Sequence, residues 1–157
     1  MSEEKVNRSD IMNQARIRTI LNHPFWGVLG LRLEIIPDDS IPTASTNGKQ
    51  LRYNKSWFES LPPAKQEGTF AHEVDHCAKG HIFRIGNRDL ELANIAADHN
   101  VNLDMQKAGF QIPEPHYADP RFEGMSFEKI YAILYQEREA QKEKESRSRE
   151  SDLSQDG

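Results

Sequence analysis

Residues 71–81 read AHEVDHCAKGH, and the core of that stretch, HEVDH, constrains this chain more than any other. Histidines at i and i+4 share one face of an α-helix, with Cβ atoms roughly 6 Å apart. The spacing therefore has chemical content only if the segment is helical. Pro62-Pro63 upstream suits a first helical turn, and Gly80 downstream offers a stop, so the pattern predicts a helix from about 63 to 80. On such a helix the imidazoles of His72 and His76 can meet one zinc ion at about 2.0–2.1 Å each. Glu73, one step round, reaches a water rather than the ion. A carboxylate there can take a proton from that water and pass it to a leaving amine. By composition alone, a chance H-E-x-x-H has odds of about 2 % in a chain like this. The surroundings must therefore decide.

A catalytic zinc needs a third protein ligand, and three continuations can be tested. A glycine and a third histidine, three and six residues after His76, are missing: those positions hold Lys79 and Ile82. Gly80 and His81 sit one residue away, but on a continuing helix His81 falls about 180° from His72. Its bland role is to complement the helix dipole. The deformylase pattern shares Asp75 but takes a cysteine from a separate upstream segment, and the single cysteine here, Cys77, follows the motif. Cys77 reads better as a small buried hydrophobe. The third form draws a carboxylate from a later helix. The stretch ELANIAADHNVN offers Glu91 and Asp98. Glu91 falls in the first turn, where a solvated acid complements the dipole. Asp98 lies beside the apolar side formed by Leu92, Ile95, Ala96 and Leu103, and alanines at 93, 96 and 97 allow close helix approach. A carboxylate so placed is expensive unless paired or bound to a metal. Asp98 is the favoured ligand; the alternative is that it holds a histidine N–H from outside the ligand set. Tyr53, His81 and His99 are candidates for lining the site or stabilising an oxyanion. Asp75 is a candidate for adding negative charge beside the cation.

The rest of the chain predicts one α+β domain. Ser9 is an N-cap candidate for a helix near 10–22 with Ile11, Ala15, Ile20 and Leu21 on its apolar side. FWGVLG is a glycine-punctuated turn, and LRLEI alternates as a half-buried strand does. IPTAST and KQLRYN flank Asn47-Gly48, a pair that favours a type I′ hairpin. The outcome is a small sheet of about three strands, antiparallel or mixed. A short turn or helix at 57–61 follows. Asp89 can cap a third helix that stops at Gly109. Residues 110–125 read as an ordered loop, and Ser126 caps a last helix with Phe127, Ile130, Tyr131 and Leu134 on its apolar side. Residues 1–8 are expected to be disordered, 9–135 to form the domain, and 136–157 to be a charged tail, partly helical and then frayed.

Charge and cysteine usage narrow the function classes. A net charge of −5 with both signs mixed leaves no electrostatic footprint for nucleic acid. This argues against a protease acting on nucleoprotein. No stretch reaches the length of a membrane span, and one cysteine fits a reducing compartment. The expectation is a cytoplasmic protein without nucleic-acid or membrane partners, acting on a peptide or protein.

Taken together, HPFWGVLGLRLEII, PTASTNGKQLRYN, FAHEVDHCAKGHIFRIGNRDLELANIAADHNVN and AGFQIPE…DPRFEGMSFEKIYAIL resemble the metallopeptidase domain of bacteria and phages that precedes a von Willebrand factor A-like domain in longer relatives. The resemblance spans about residues 11–135. It implies a zincin-like α+β fold with one zinc, a helix bearing His72, Glu73 and His76, and a following helix bearing Asp98. It further implies that the strand near Thr43–Thr46 is an edge on which a peptide can lie. The activity implied is peptide-bond hydrolysis with Glu73 as general base. The competing reading is a non-catalytic, zinc-stabilised module of the same fold that holds a peptide. Three positions depart from the pattern. Asp75 replaces an aliphatic residue, His99 stands where tyrosine is commoner, and a charged tail stands where the A-like domain would begin.

Overall fold

A computed structural model describes the backbone of residues 2–155 and the side chains of residues 11–154. The first helix, α1 (Ser2–Asn22), is followed by α2 (Pro24–Leu29) and a 3-10 turn over Gly30–Arg32. Ser9 lies inside α1 and does not cap it, and residues 2–8, expected to be disordered, belong to the helix. No glycine or proline interrupts that stretch, so no local signal stops the helix before its first residues. The buried stripe of α1 is Met12, Ala15 and Thr19, while Leu21 points outward at 74 % exposure. Residues 12, 15 and 19 keep helical spacing; residue 21 sits about 200° round from 19.

Strands β1 (Glu34–Pro37), β2 (Ala44–Thr46) and β3 (Gln50–Tyr53) form one sheet in the order β1-β3-β2. β1 runs parallel to β3, with Ile35 opposite Leu51, and β2 runs antiparallel to β3, with Thr46 opposite Leu51. The sheet is therefore mixed, and β2 is an edge. The hairpin is not type I′, because that turn needs positive φ at two positions. Here only Gly48 takes one, at +90°. Asn47 instead accepts from the backbone N–H groups of Lys49 and Gln50 through its Oδ1 (2.9 and 2.7 Å), an Asx turn made by its own side chain.

Asn54 caps α3 (Lys55–Glu59) by accepting from Trp57 N. α4 (Pro63–Ala78) opens at its proline and carries the HEVDH motif. α5 (His81–Arg84) is a short helix that the sequence pattern did not predict. Asp89 accepts from Leu92 N and caps α6 (Leu90–Lys107), and Gly109 follows it at φ +92°. After the 110–125 loop, Ser126 Oγ accepts from Lys129 N at the start of α7 (Phe127–Gln155). The tail is helical through Gln155, with residues 139–154 exposed on all sides.

Of three apolar clusters, two hold α4. One side presents Phe70 and Val74 to Met12, Leu33, Leu51, Tyr53 and Phe58. Another presents Ala71 to Val101, Met105, Phe110 and Ile112. The third cluster joins Ala93, Ala96 and Ala97 of α6 to Phe122, Phe127 and Ile130. Burial of each large side chain stabilises by roughly 1.5–3 kcal/mol. The small residues matter as much, because a Cβ at Gly68 would lie 1.8 Å from Gln111 O. Only glycine lets the chain after α6 pass that close to α4. The site wall described next depends on that passage. Among the described residues, no helix is long and apolar enough to cross a membrane.

Candidate metal centre

The side of α4 left uncovered by the three clusters presents His72, Glu73 and His76 to a cavity of about 560 Å³. The edge strand β2, the helices α5 and α6, and the segment Ile112–Tyr117 complete its walls. His72 Nε2 lies 2.9 Å from His76 Nε2. Asp98 Oδ1, from α6, lies 3.1 Å from His76 Nε2 and 3.3 Å from His72 Nε2. These three are the His/Cys/Asp/Glu group that converges closely enough to hold a metal ion among the described residues. Atoms bound at about 2.0–2.1 Å to one tetrahedral ion lie roughly 3.4 Å apart. The observed separations fall just inside that, and the donor set of two imidazoles and a carboxylate is one zinc accepts. The residues present fit the ion.

Electrostatics bind the trio together without any ion. Burial disfavours a charged His72, but the Asp98 hydrogen bond, the nearby Glu73 and Asp98 charges and Asn102 outweigh it. Together they push His72 up to about 9. Burial likewise disfavours the Asp98 carboxylate, yet hydrogen bonds and charge from both histidines hold it well below the usual carboxylate range. Near neutral pH, a proton therefore sits where a cation would. Glu73 is buried, with Oε1 3.9 Å from His72 Nε2, beside the trio but outside it.

The outer nitrogens of both histidines are held. His72 Nδ1 lies 2.7 Å from Asn102 Oδ1, and His76 Nδ1 lies 2.9 Å from His81 Nδ1. His81 reaches this position because the α4 helix does not continue. Gly80 takes φ +63° and turns the chain into α5. Burial, then the positive neighbours His76, Lys79 and Arg84, pull His81 down to about 3, so it is neutral and able to accept from His76. It lines the cavity as well.

The other candidates lie elsewhere. Tyr53 is a core residue packed edge-on to Phe58; on the pleat of β3 it alternates inward with Leu51. Asp75 is buried away from the cavity: Oδ1 accepts from Trp26 Nε1 at 3.2 Å, and Oδ2 pairs with Lys79 Nζ at 2.9 Å. Those two side chains, outside the cavity lining, meet the buried acid's need for partners. His99 packs on Tyr117 and Phe122, and its Nδ1 accepts from Asp119 N at 3.1 Å. One residue past Asp98 turns it about 100° from the site. Cys77 is half-buried, its Sγ 3.3 Å from Thr46 Oγ1.

Asn94 and Asn102, one helical turn before and after Asp98, also line the cavity and were not among the residues expected there. The row 94, 98, 102 is a signal of helical period that could have marked them. His116 and Tyr117, on the far wall, have no such signal.

Comparison with protein families matches residues 7–157 to the family described as "Putative metallopeptidase domain". The chain belongs to that family. No curated protein and no solved structure gives a significant match. The family description concerns metal-dependent peptide hydrolysis, and His72, His76 and Asp98 converge closely enough that they could hold a metal ion.

Proposed function

We propose that the protein is a zinc-dependent metallopeptidase. His72, His76 and Asp98 hold one zinc, and Glu73 is the general base. The observation that carries this reading is the convergence of the three donor atoms at 2.9–3.3 Å beside a buried Glu73 that is not one of them. Zinc, when bound, supplies Lewis acidity and lowers the pKa of a water to about 7. The chain supplies the rest. Glu73 would take a proton from the attacking water as the water oxygen bonds to the scissile carbonyl carbon. The same carboxylate returns the proton to the amide nitrogen as the C–N bond breaks. β2 carries an unpaired edge along the cavity, which suits an extended peptide added as a further strand. A lone free thiol, Cys77, suits a reducing compartment, and the reading is of a cytoplasmic enzyme acting on a peptide or protein.

The test is zinc content by elemental mass spectrometry alongside cleavage of a mixed peptide library. About one zinc per chain with cleavage is expected. Zinc retained with no cleavage of any peptide would make the protein a binding module of the same fold. A chain that takes up no zinc would end the metallopeptidase reading.

A further inference from the structure

Asn102 is 2 % exposed, and both ends of its amide are committed. Its Nδ2 donates to the Tyr117 carbonyl at 2.9 Å, and its Oδ1 lies 2.7 Å from His72 Nδ1. A carbonyl only accepts, so the amide nitrogen must face Tyr117 and the amide oxygen His72. That oxygen only accepts in turn, so His72 carries a hydrogen on Nδ1 and its Nε2 faces His76 and Asp98. The same side chain thus touches a histidine of the metal centre and the segment 112–117, which forms one wall of the cavity. The other ties on that segment are different in kind. His116 bonds to Pro113 O within the segment and to Gln106 at the exposed end of α6, Ile112 is anchored in the core, and the Tyr117 ring packs on His99, which does not bond to the three donors. Asn102 is the tie that leads to the metal centre.

We propose that Asn102 is a positioning residue that couples the cleft wall to the metal centre: it orients His72 through Nδ1–H and holds the 112–117 wall through Tyr117 O. This rests on the metal reading given above. Orienting a ligand from outside is worth about 10–100-fold in metal affinity. Because coupling is reciprocal, filling the metal site steadies the wall, and a steady wall favours a filled site. A substrate then meets an ordered cleft only in the metal-loaded protein.

Two substitutions separate the two ends of the amide. Zinc affinity is read by competition with a chromophoric chelator, and amide hydrogen exchange is followed across 112–117 with and without zinc. In the wild type, zinc is expected to slow exchange in that segment. N102A removes both bonds: affinity falls about 10–100-fold and zinc no longer slows exchange there. N102D keeps an acceptor for His72 but cannot donate to Tyr117 O, so affinity stays within roughly threefold of wild type while the wall exchanges fast even with zinc. Wild-type affinity in N102A, or a protected wall in N102D, overturns the coupling. So does equal loss of affinity and of protection throughout both variants, which marks a merely structural residue. If the wild type itself takes no zinc, the metallopeptidase reading falls and the coupling with it. If the wild type binds zinc but the two variants do not separate, the coupling alone falls.

Discussion

At the scale of single residues, the site divides its work between groups that touch and groups that stand beside. Glu73 stands beside, 3.9 Å from His72 Nε2. Glu73→Gln keeps size and shape, and is expected to leave zinc content at the wild-type level while cutting peptide cleavage by at least about 100-fold. Paired elemental analysis and turnover measurements check this, and a variant that still cleaves would remove Glu73 from the role of base. Asp98→Ala is expected to lower zinc affinity by more than about tenfold, as loss of one of three protein ligands should, read by chelator competition. The proton held by the trio makes a further prediction. His72 ordinarily titrates at 6.5 and is pushed up to about 9 in the folded, metal-free chain. A raised folded value stabilises fully below pH 6.5 and is lost as pH rises through about 9. Asp98, depressed, adds stability above its ordinary 3.8 that is lost as pH falls. With a chelator present, the urea midpoint should therefore decline between pH 6.5 and 9. A flat profile there would show that no proton is shared by His72 and Asp98. Zinc uptake at pH 7 should release about one proton, measurable by calorimetry in buffers of different ionisation enthalpy.

Among the elements, α4 does most to place the chemistry, since it presents core on two sides and the site on a third. Its contact with the chain after α6 requires glycine, because a Cβ at position 68 would meet Gln111 O at 1.8 Å. Backbone cannot retreat as a flexible side-chain tip can, so Gly68→Ala is expected to destabilise by about 1–3 kcal/mol. It should also loosen the 112–117 wall. Urea unfolding checks the first, and hydrogen exchange in that segment the second; an unchanged midpoint would show that the loop yields freely. α5 shows how a break can serve a site. The turn at Gly80 ends α4 and returns His81 to His76.

For the molecule as a whole, the three clusters lie within α1 to the first turns of α7, and the remainder of α7 extends beyond them. Residues 139–154 are exposed. Their side-chain contacts are local ones along the helix: the Arg138–Glu139, Glu139–Lys142 and Gln141–Glu145 pairs and the bonds of Ser151 and Ser154 to backbone carbonyls one turn back. Exposed pairs of this kind contribute little. A chain ended after Lys144 should keep its thermal midpoint within about 2 °C and its zinc content unchanged. A larger loss would assign the outer half of α7 a packing role.

Much of the fold was legible because its signals are local. Caps at Asp89 and Ser126, prolines at a helix start and a glycine at a helix end are read by neighbouring residues alone. So is the helical spacing that turns His72, Glu73 and His76 to one side. The α+β class followed from those signals. What the sequence left open depended on contacts between segments distant along the chain. Strand direction in β1, the burial of Tyr53 and the bond from Trp26 to Asp75 are set by packing between segments distant along the chain, 16 residues apart for β1 and β3 and 49 for Trp26 and Asp75. The return of His81 required knowing that α4 ends at a left-handed glycine instead of continuing. Asn102 reads as an ordinary polar helix residue until Tyr117 and His72 are brought to either end of its amide. Local pattern determined which side chains share a helix face; only the tertiary structure decided which of those faces meet, because the free energy of that meeting lies in groups that local sequence does not place together.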